Sequence, residues 1–362
     1  MKVHFLSIHR IIYENKQCEQ ITLNQGMEQF ANDLLGHVLV KKNVRNYDST
    51  DQSEPIQLAG KIRNAVDGGE KDWKKQAEGY AKKIAEHLLK VEEPFHNVQR
   101  GSLIQAVIDR EDNGRTVYVL AKVAHTAFVD DAHYTTQNGF PRDEKQIWKT
   151  CILEWKESPE TAKAQVFSNT EAKYWWDSFL KLTPETNNAT NTRRVFETIN
   201  STMNRFFGAQ KKKKVRDAEC CMYDHSIIKS AFMLRLRQGT QLIYDDMIND
   251  ILDKYNPVFT TPEAINELKE MLLEKSGFDK NFCLDSTELK SDYVTKFSLG
   301  NGVTIGIQMD TFDLSNISVQ EDGVNRILCI RYPATTAMDA YIKALLKLGE
   351  GRKQVGNKND TE

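Results

Sequence analysis

The sequence predicts an α+β protein: an N-terminal mixed part with antiparallel hairpin strands, then a largely helical C-terminal part carrying a small antiparallel sheet. Two observations predict it. Around Asp112-Asn113-Gly114 the flanking residues GSLIQAVID and TVYVLAKVA are rich in β-branched and apolar types, and Asn-Gly supplies the positive φ angles of a tight hairpin. Beyond Ser158-Pro159 the apolar period changes from two to about 3.6, the spacing of amphipathic helices. The expected organisation is a mixed domain over 1–160, a helical domain over 161–348 with its sheet at about 290–332, and a disordered polar tail over 349–362.

Taken in order, VHFLSIHRIIYE reads as a first strand ending in a turn at Asn15-Lys16. Phe30, Leu34, Leu35, Val38 and Leu39 recur at helical spacing in the next segment, and residues 43–54 read as a polar loop. From Asp72 to Val91 one apolar face carries Trp73, Ala77, Tyr80, Ala81, Ile84, Leu88 and Leu89, a stripe that needs a sheet or partner helix to cover it. The hairpin and a further strand, IWKTCILEWK, follow. Helices are expected over Thr170–Leu182, Thr192–Phe207, Ala218–Leu236, Thr240–Lys254 and Pro262–Lys275, the last with Thr261 as N-cap and Pro262 in its first position. Two strands around Leu299-Gly300-Asn301-Gly302, a third in NRILCIRYP and a helix over Thr336–Leu348 complete the pattern.

Composition narrows the classes. With 40% hydrophobic and 28% charged residues the chain is an ordinary globular protein, neither disordered nor membrane-embedded, and no apolar run approaches bilayer-spanning length. The N-terminus lacks the features of a secretory signal, so a cytoplasmic location is expected. Six cysteines without a CxxC pair point to reduced thiols and away from a disulfide framework or structural zinc. Cys220, Cys221 and His225 are soft ligands, but adjacent helical residues point about 100° apart, so no metal is expected there. The pair Asp130-Asp131 between His125 and His133 is a common enough cluster to carry no metal assignment. GNGVTIG follows neither phosphate-loop nor dinucleotide spacing, and no cofactor is expected. Trp175-Trp176 reads as an anchor between the two halves.

A formal charge of −2 means that any nucleic-acid contact must come from a local patch. One exists between residues 193 and 216, where Arg193, Arg194, Arg205, Lys211, Lys212, Lys213, Lys214 and Arg216 face only Glu197. Such a cluster can bind phosphates by releasing condensed counterions, and a helix C-terminus favours cations through its dipole. Neighbouring Phe206 and Phe207, on an amphipathic helix, are expected in the core. The alternative reading is a magnesium-dependent nuclease of the PD-(D/E)xK type. Asp143, or Asp109, would be the first carboxylate, with Glu154 binding metal and Lys156 on the same strand face.

Three stretches, IHRIIYE, the hairpin running into ILEWKESPETAKAQVFSNTEAKYWWDSFLKL, and the late pair TKFSLGNGVTIGIQMDTF with RILCIRYPA, together resemble the bacterial nucleoid-associated proteins of the NdpA type. In order and spacing they cover most of the chain. The resemblance implies a cytoplasmic protein found with the bacterial chromosome and binding DNA, with no reaction or cofactor to carry over. It also admits a role as a DNA-binding or interaction component of a phage-defence complex, with a protein partner. The expectation is therefore a non-catalytic, largely sequence-independent DNA-binding protein that contacts no membrane. Self-association is expected too, because joined basic strips gain effective concentration.

Overall fold

A computed structural model describes residues 1–69, 71–95, 101–111, 114–130, 135–140, 147–155, 161–168, 173–212, 218–237, 240–258, 260–292, 294–300, 303–308, 317–323 and 325–330. The chain forms two units, Met1–Asp292 and Tyr293–Glu362. Strands and helices are both abundant, and the fold class is α+β.

In the first unit, β1 (Lys2–Ile12) turns at Lys16 (φ 54°) into the short β2 (Gln17–Gln20). Helix α1 (Gln25–Val40) starts where the Asn24 side chain accepts the Met27 amide at 2.9 Å, which satisfies one otherwise unpaired N–H. The stretch expected as loop contains β3 (Arg45–Ser49). A helix not foreseen, α2 (Glu54–Gly68), is capped by Ser53, which accepts the Ile56 amide, and ends at Gly69 (φ 59°), a left-handed cap that glycine takes without strain. In α3 (Trp73–Glu92) the buried residues Ala77, Ala81, Ile84, Leu88 and Leu89 form the face that the periodicity predicts.

The hairpin pairs β4 (Gly101–Asp109) with β5 (Thr116–Ala124), and Gly114 in its turn has φ 65°. A small ribbon, β6 (Thr126–Asp130) with β7 (Thr135–Gly139), leads to β8 (Ile147–Glu154), β9 (Lys163–Ser168) and β10 (Leu182–Pro184). Eight strands form one antiparallel sheet in the order β10-β3-β9-β8-β5-β4-β1-β2. A boundary near residue 160 would fall between β8 and β9, which are paired from Lys149↔Ser168 to Glu154↔Lys163.

Because successive strand residues face opposite ways, each sheet face has its own core. Phe5, Leu103, Val107, Tyr118, Leu120, Cys151 and Leu153 pack with α2 and α3. Ile8, Ile104, Ala106, Val117 and Val119 pack with Ala31, Leu34, Leu35 and Val38 of α1.

Within the helix expected over 170–182 the structure has a π-helical turn, Tyr174–Phe179, with the Leu180 amide donating to the Trp175 carbonyl at 3.2 Å. Trp175 is fully buried in the sheet's core and the Trp176 ring lies tilted against Tyr47 at 5.5 Å, so this pair anchors the sheet. The helical part holds α4 (Asn188–Lys212), α5 (Ala218–Arg237), β11 (Gln241–Ile243), α6 (Tyr244–Leu252), α7 (Pro262–Leu273) and β12 (Asn281–Cys283). The helix expected from Thr240 begins later because Gln241–Ile243 pair with Asn281–Cys283. Thr261 caps α7 by accepting the Ala264 amide at 3.2 Å. Buried Asp279 joins the helical part to the sheet: it accepts from the Asn46 amide (3.0 Å), Asn46 Nδ2 (2.9 Å) and Asn191 Nδ2 (2.7 Å).

In the second unit β13 (Val294–Gly300) pairs with β14 (Val303–Gln308), and β15 (Ile317–Asp322) with β16 (Asn325–Ile330), as two separate antiparallel pairs. The helix expected over 336–348 and the tail over 349–362 lie outside the described residues.

Candidate nucleic-acid interface

Helix α4 carries the first part of the basic segment. Val195, Phe196, Ile199, Met203, Phe206 and Phe207 are buried on its inner side, the i, i+3, i+4 stripe of an amphipathic helix. Phe206 and Phe207 meet edge to face at 5.2 Å inside this core and are not available for base stacking. Arg194 and Arg205 are exposed on the outer side. Eleven residues apart, they lie on one stripe of a helix with 3.6 residues per turn, and Lys212 holds the next position on that stripe. Lys211 also belongs to α4, while Lys213, Lys214 and Arg216 lie outside the described residues.

Arg193 differs from its neighbour. Its half-buried guanidinium donates to the Glu288 carbonyl and lies 5.8 Å from the Phe196 ring, tying α4 to the 3-10 turn Ser286–Asp292. Arg194 donates to the Gly277 carbonyl at 3.3 Å.

That last contact leads to a groove of about 890 Å³ on the α1 side of the sheet. Its walls are the end of α1 (Leu39, Val40), the hairpin residues Arg110 and Glu111, and the segment after α7 (Glu274, Lys275, Ser276), with Gln165 of β9 among its lining residues. Lys41, Lys42, Arg110 and Lys275 make the lining basic, against Glu111 and Glu274. Lys41 lies 3.3 Å from the Phe167 ring centroid, while Lys280 is held by Asp245 (2.8 Å) and the Leu273 carbonyl (2.9 Å). Arg45 takes no part, being buried beside Asp279 with its guanidinium donating to the Thr186 carbonyl at 3.0 Å.

Two of the residues named for the alternative nuclease, Glu154 and Asp109, are described. Asp143 and Lys156 lie outside the described residues. Glu154 is paired with Arg115. Asp109 accepts from His4 Nε2 (2.6 Å) and Thr116 Oγ1 (2.7 Å), bonds that hold its carboxyl below the usual range. Cys220 and Cys221 belong to α5, and the His225 ring stacks on Phe207 at 4.8 Å. No group of three or more His, Cys, Asp or Glu side chains converges for a metal among the described residues.

The structure also assembles a buried ionic cluster that the sequence reading did not identify. Glu92 of α3 is fully buried and accepts from Tyr13 (2.6 Å), Tyr174 (2.8 Å) and Lys122. Lys122 also donates to the Tyr13 hydroxyl at 3.0 Å. Burial pushes the Lys122 amine down, opposed by Glu92, and burial pushes both phenols up. Lys149, opposite Lys122 on the next strand, is pushed down to about 8 by burial and by Lys122. A signal was available: in TVYVLAKVA the alternation that puts Tyr118 and Leu120 inward puts Lys122 inward too.

No protein-family model matches the chain, and a search of curated proteins finds no match. Among the described residues no helix is long and apolar enough to cross a membrane.

Proposed function

We propose that this chain is a non-catalytic DNA-binding protein that grips the phosphate backbone with little regard to base sequence. The observation that carries the reading is one path of cations. Arg194, Arg205 and Lys212 share a stripe of α4, and Arg194 reaches Gly277, two residues from the Lys275 that lines the basic groove with Lys41, Lys42 and Arg110. Arginine and lysine on phosphates fix position and carry no sequence information directly. Lys211, Lys213, Lys214 and Arg216 extend the same run of charge in the sequence. The resemblance to the NdpA-type proteins supports the same reading and suggests association with the nucleoid, with self-association multiplying the strips; a defence-complex setting would use the same grip.

Duplex titrations at several salt concentrations test this, with magnesium present and absent. Each phosphate contact contributes about 0.9 to the slope of log affinity on log salt. Substituting Arg194, Arg205 and Lys212 together by alanine is therefore expected to lower the slope by about 3. Unchanged affinity and slope would overturn the grip, and magnesium-dependent cleavage would overturn the non-catalytic reading.

A further inference from the structure

Lys122 on β5 and Lys149 on β8 are cross-strand partners and are 3% and 7% exposed. Directly opposed strand residues hold their Cβ atoms about 5 Å apart, so two amines share one covered site in which Glu92 is the single carboxylate among the described residues. That carboxylate already takes three donors, one oxygen accepting from Lys122 and Tyr174 and the other from Tyr13, and none of them is Lys149. Lys149 lies 5.2 Å from the Tyr174 ring, and among the described residues no acceptor reaches its amine. The site carries one cation too many for a buried place. Tyr174 opens the π-helical turn, a distortion that recurs at functional sites.

We propose that Lys149 is a carbamylation site: its amine takes up carbon dioxide, and the carbamate formed lies against Lys122. The nitrogen lone pair of the neutral amine forms the N–C bond, one C–O π pair moves onto oxygen, and one N–H proton leaves to solvent. A neutral amine and a neutral gas thus yield one anion and one proton. The product supplies the missing negative charge, and Lys122 keeps a third N–H beyond those given to Glu92 and Tyr13 to meet it. Carbon dioxide reaches the site without the desolvation that an inorganic anion would suffer. The ionisable groups facing the pair are Glu92 from α3, Tyr13 from the turn after β1 and Tyr174, with Cys18 of β2 near Glu92 and Tyr13. The lowered proton affinity of Lys149 keeps a share of its amine neutral near pH 8.

The test equilibrates the full-length protein with ¹³C-bicarbonate at about pH 8, the range where this amine titrates, and records the carbamate carbon by NMR. Carbamates are then trapped as ethyl esters with a trialkyloxonium salt and located by peptide mass spectrometry. The expected result is a resonance and a trapped adduct at Lys149, both absent after carbon dioxide is stripped and in Lys149→Met, and several-fold weaker in Lys122→Met. The wild-type peptide map decides even where a variant folds poorly. No adduct at Lys149, or an adduct no greater than at exposed Lys75 and Lys90, overturns the proposal.

Discussion

Lys122 and Lys149 stand directly opposite one another on β5 and β8, yet only Lys122 reaches a carboxylate. Two identical residues in one register thus have opposite electrostatic situations. The first is neutralised by Glu92, and the second is a charge held in a covered site at a cost to folding.

That cost has a pH window. The Lys149 amine is lowered from 10.5 to about 8, by burial first and Lys122 second. Between those values the unfolded chain holds a proton that the folded chain does not, so stability rises with pH across the window, and the cost is fully present below pH 8. Lys149→Met should therefore stabilise the protein at pH 7 by on the order of 1–3 kcal/mol in carbon-dioxide-free buffer, with the gain shrinking toward pH 10.5. Urea midpoints at the two ends of the range read this directly; a variant equally stable or weaker at pH 7 contradicts it.

Glu92 should behave in the opposite way. Glu92→Leu leaves Lys122 buried without its counter-charge and is expected to cost about 3–5 kcal/mol. The double variant Glu92→Leu/Lys122→Met should recover much of that loss. Equal midpoints for the single and double variants would show that the pair is not coupled.

Adjacent arginines on α4 should separate folding from binding. Arg193→Gln loses the bond to the Glu288 carbonyl and is expected to destabilise by about 1.5–3 kcal/mol with no special loss of salt slope. Arg194→Gln should leave stability within about 0.5 kcal/mol and lower the DNA-binding salt slope by about 1. Thermal unfolding and salt titration of both variants make the comparison.

Asp279 is the joint between the helical part and the sheet. Asp279→Ala strands the Asn46 amide and frees Asn191, with an expected cost of about 3 kcal/mol or more. Hydrogen exchange should rise first at β3 and the start of α4, and exchange unchanged there would refute the joint.

The parts of the fold legible in the sequence were those whose apolar period is strong. The α3 face, the β4–β5 hairpin and the Thr261 cap fall where spacing predicts them. Helix α2 escaped because it buries small residues such as Ala59 and Gly60 beside Ile56 and Ile62, which gives a weak stripe. Strand β3, RNYDS, is polar and owes its place to its partners β9 and β10. Of the candidate interface, the charge was legible but not its division. Nothing in the dipeptide Arg193-Arg194 shows that one side chain turns inward to Glu288, because that partner lies far along the chain. The groove draws Lys41, Lys42, Arg110 and Lys275 together from three separate segments of the chain, a convergence that only the tertiary structure supplies.

Helix α4 runs unbroken for 25 residues. At 1.5 Å per residue, Arg194 and Lys212 sit about 27 Å apart, close to eight base-pair steps of about 3.4 Å. A rod of fixed length with a cation near each end is a gauge: it makes the shortest duplex that engages both ends a property of the helix rather than of the DNA sequence. Truncating the duplex below about nine base pairs should then lower affinity in a step, where a diffuse cloud of charge would give a gradual decline.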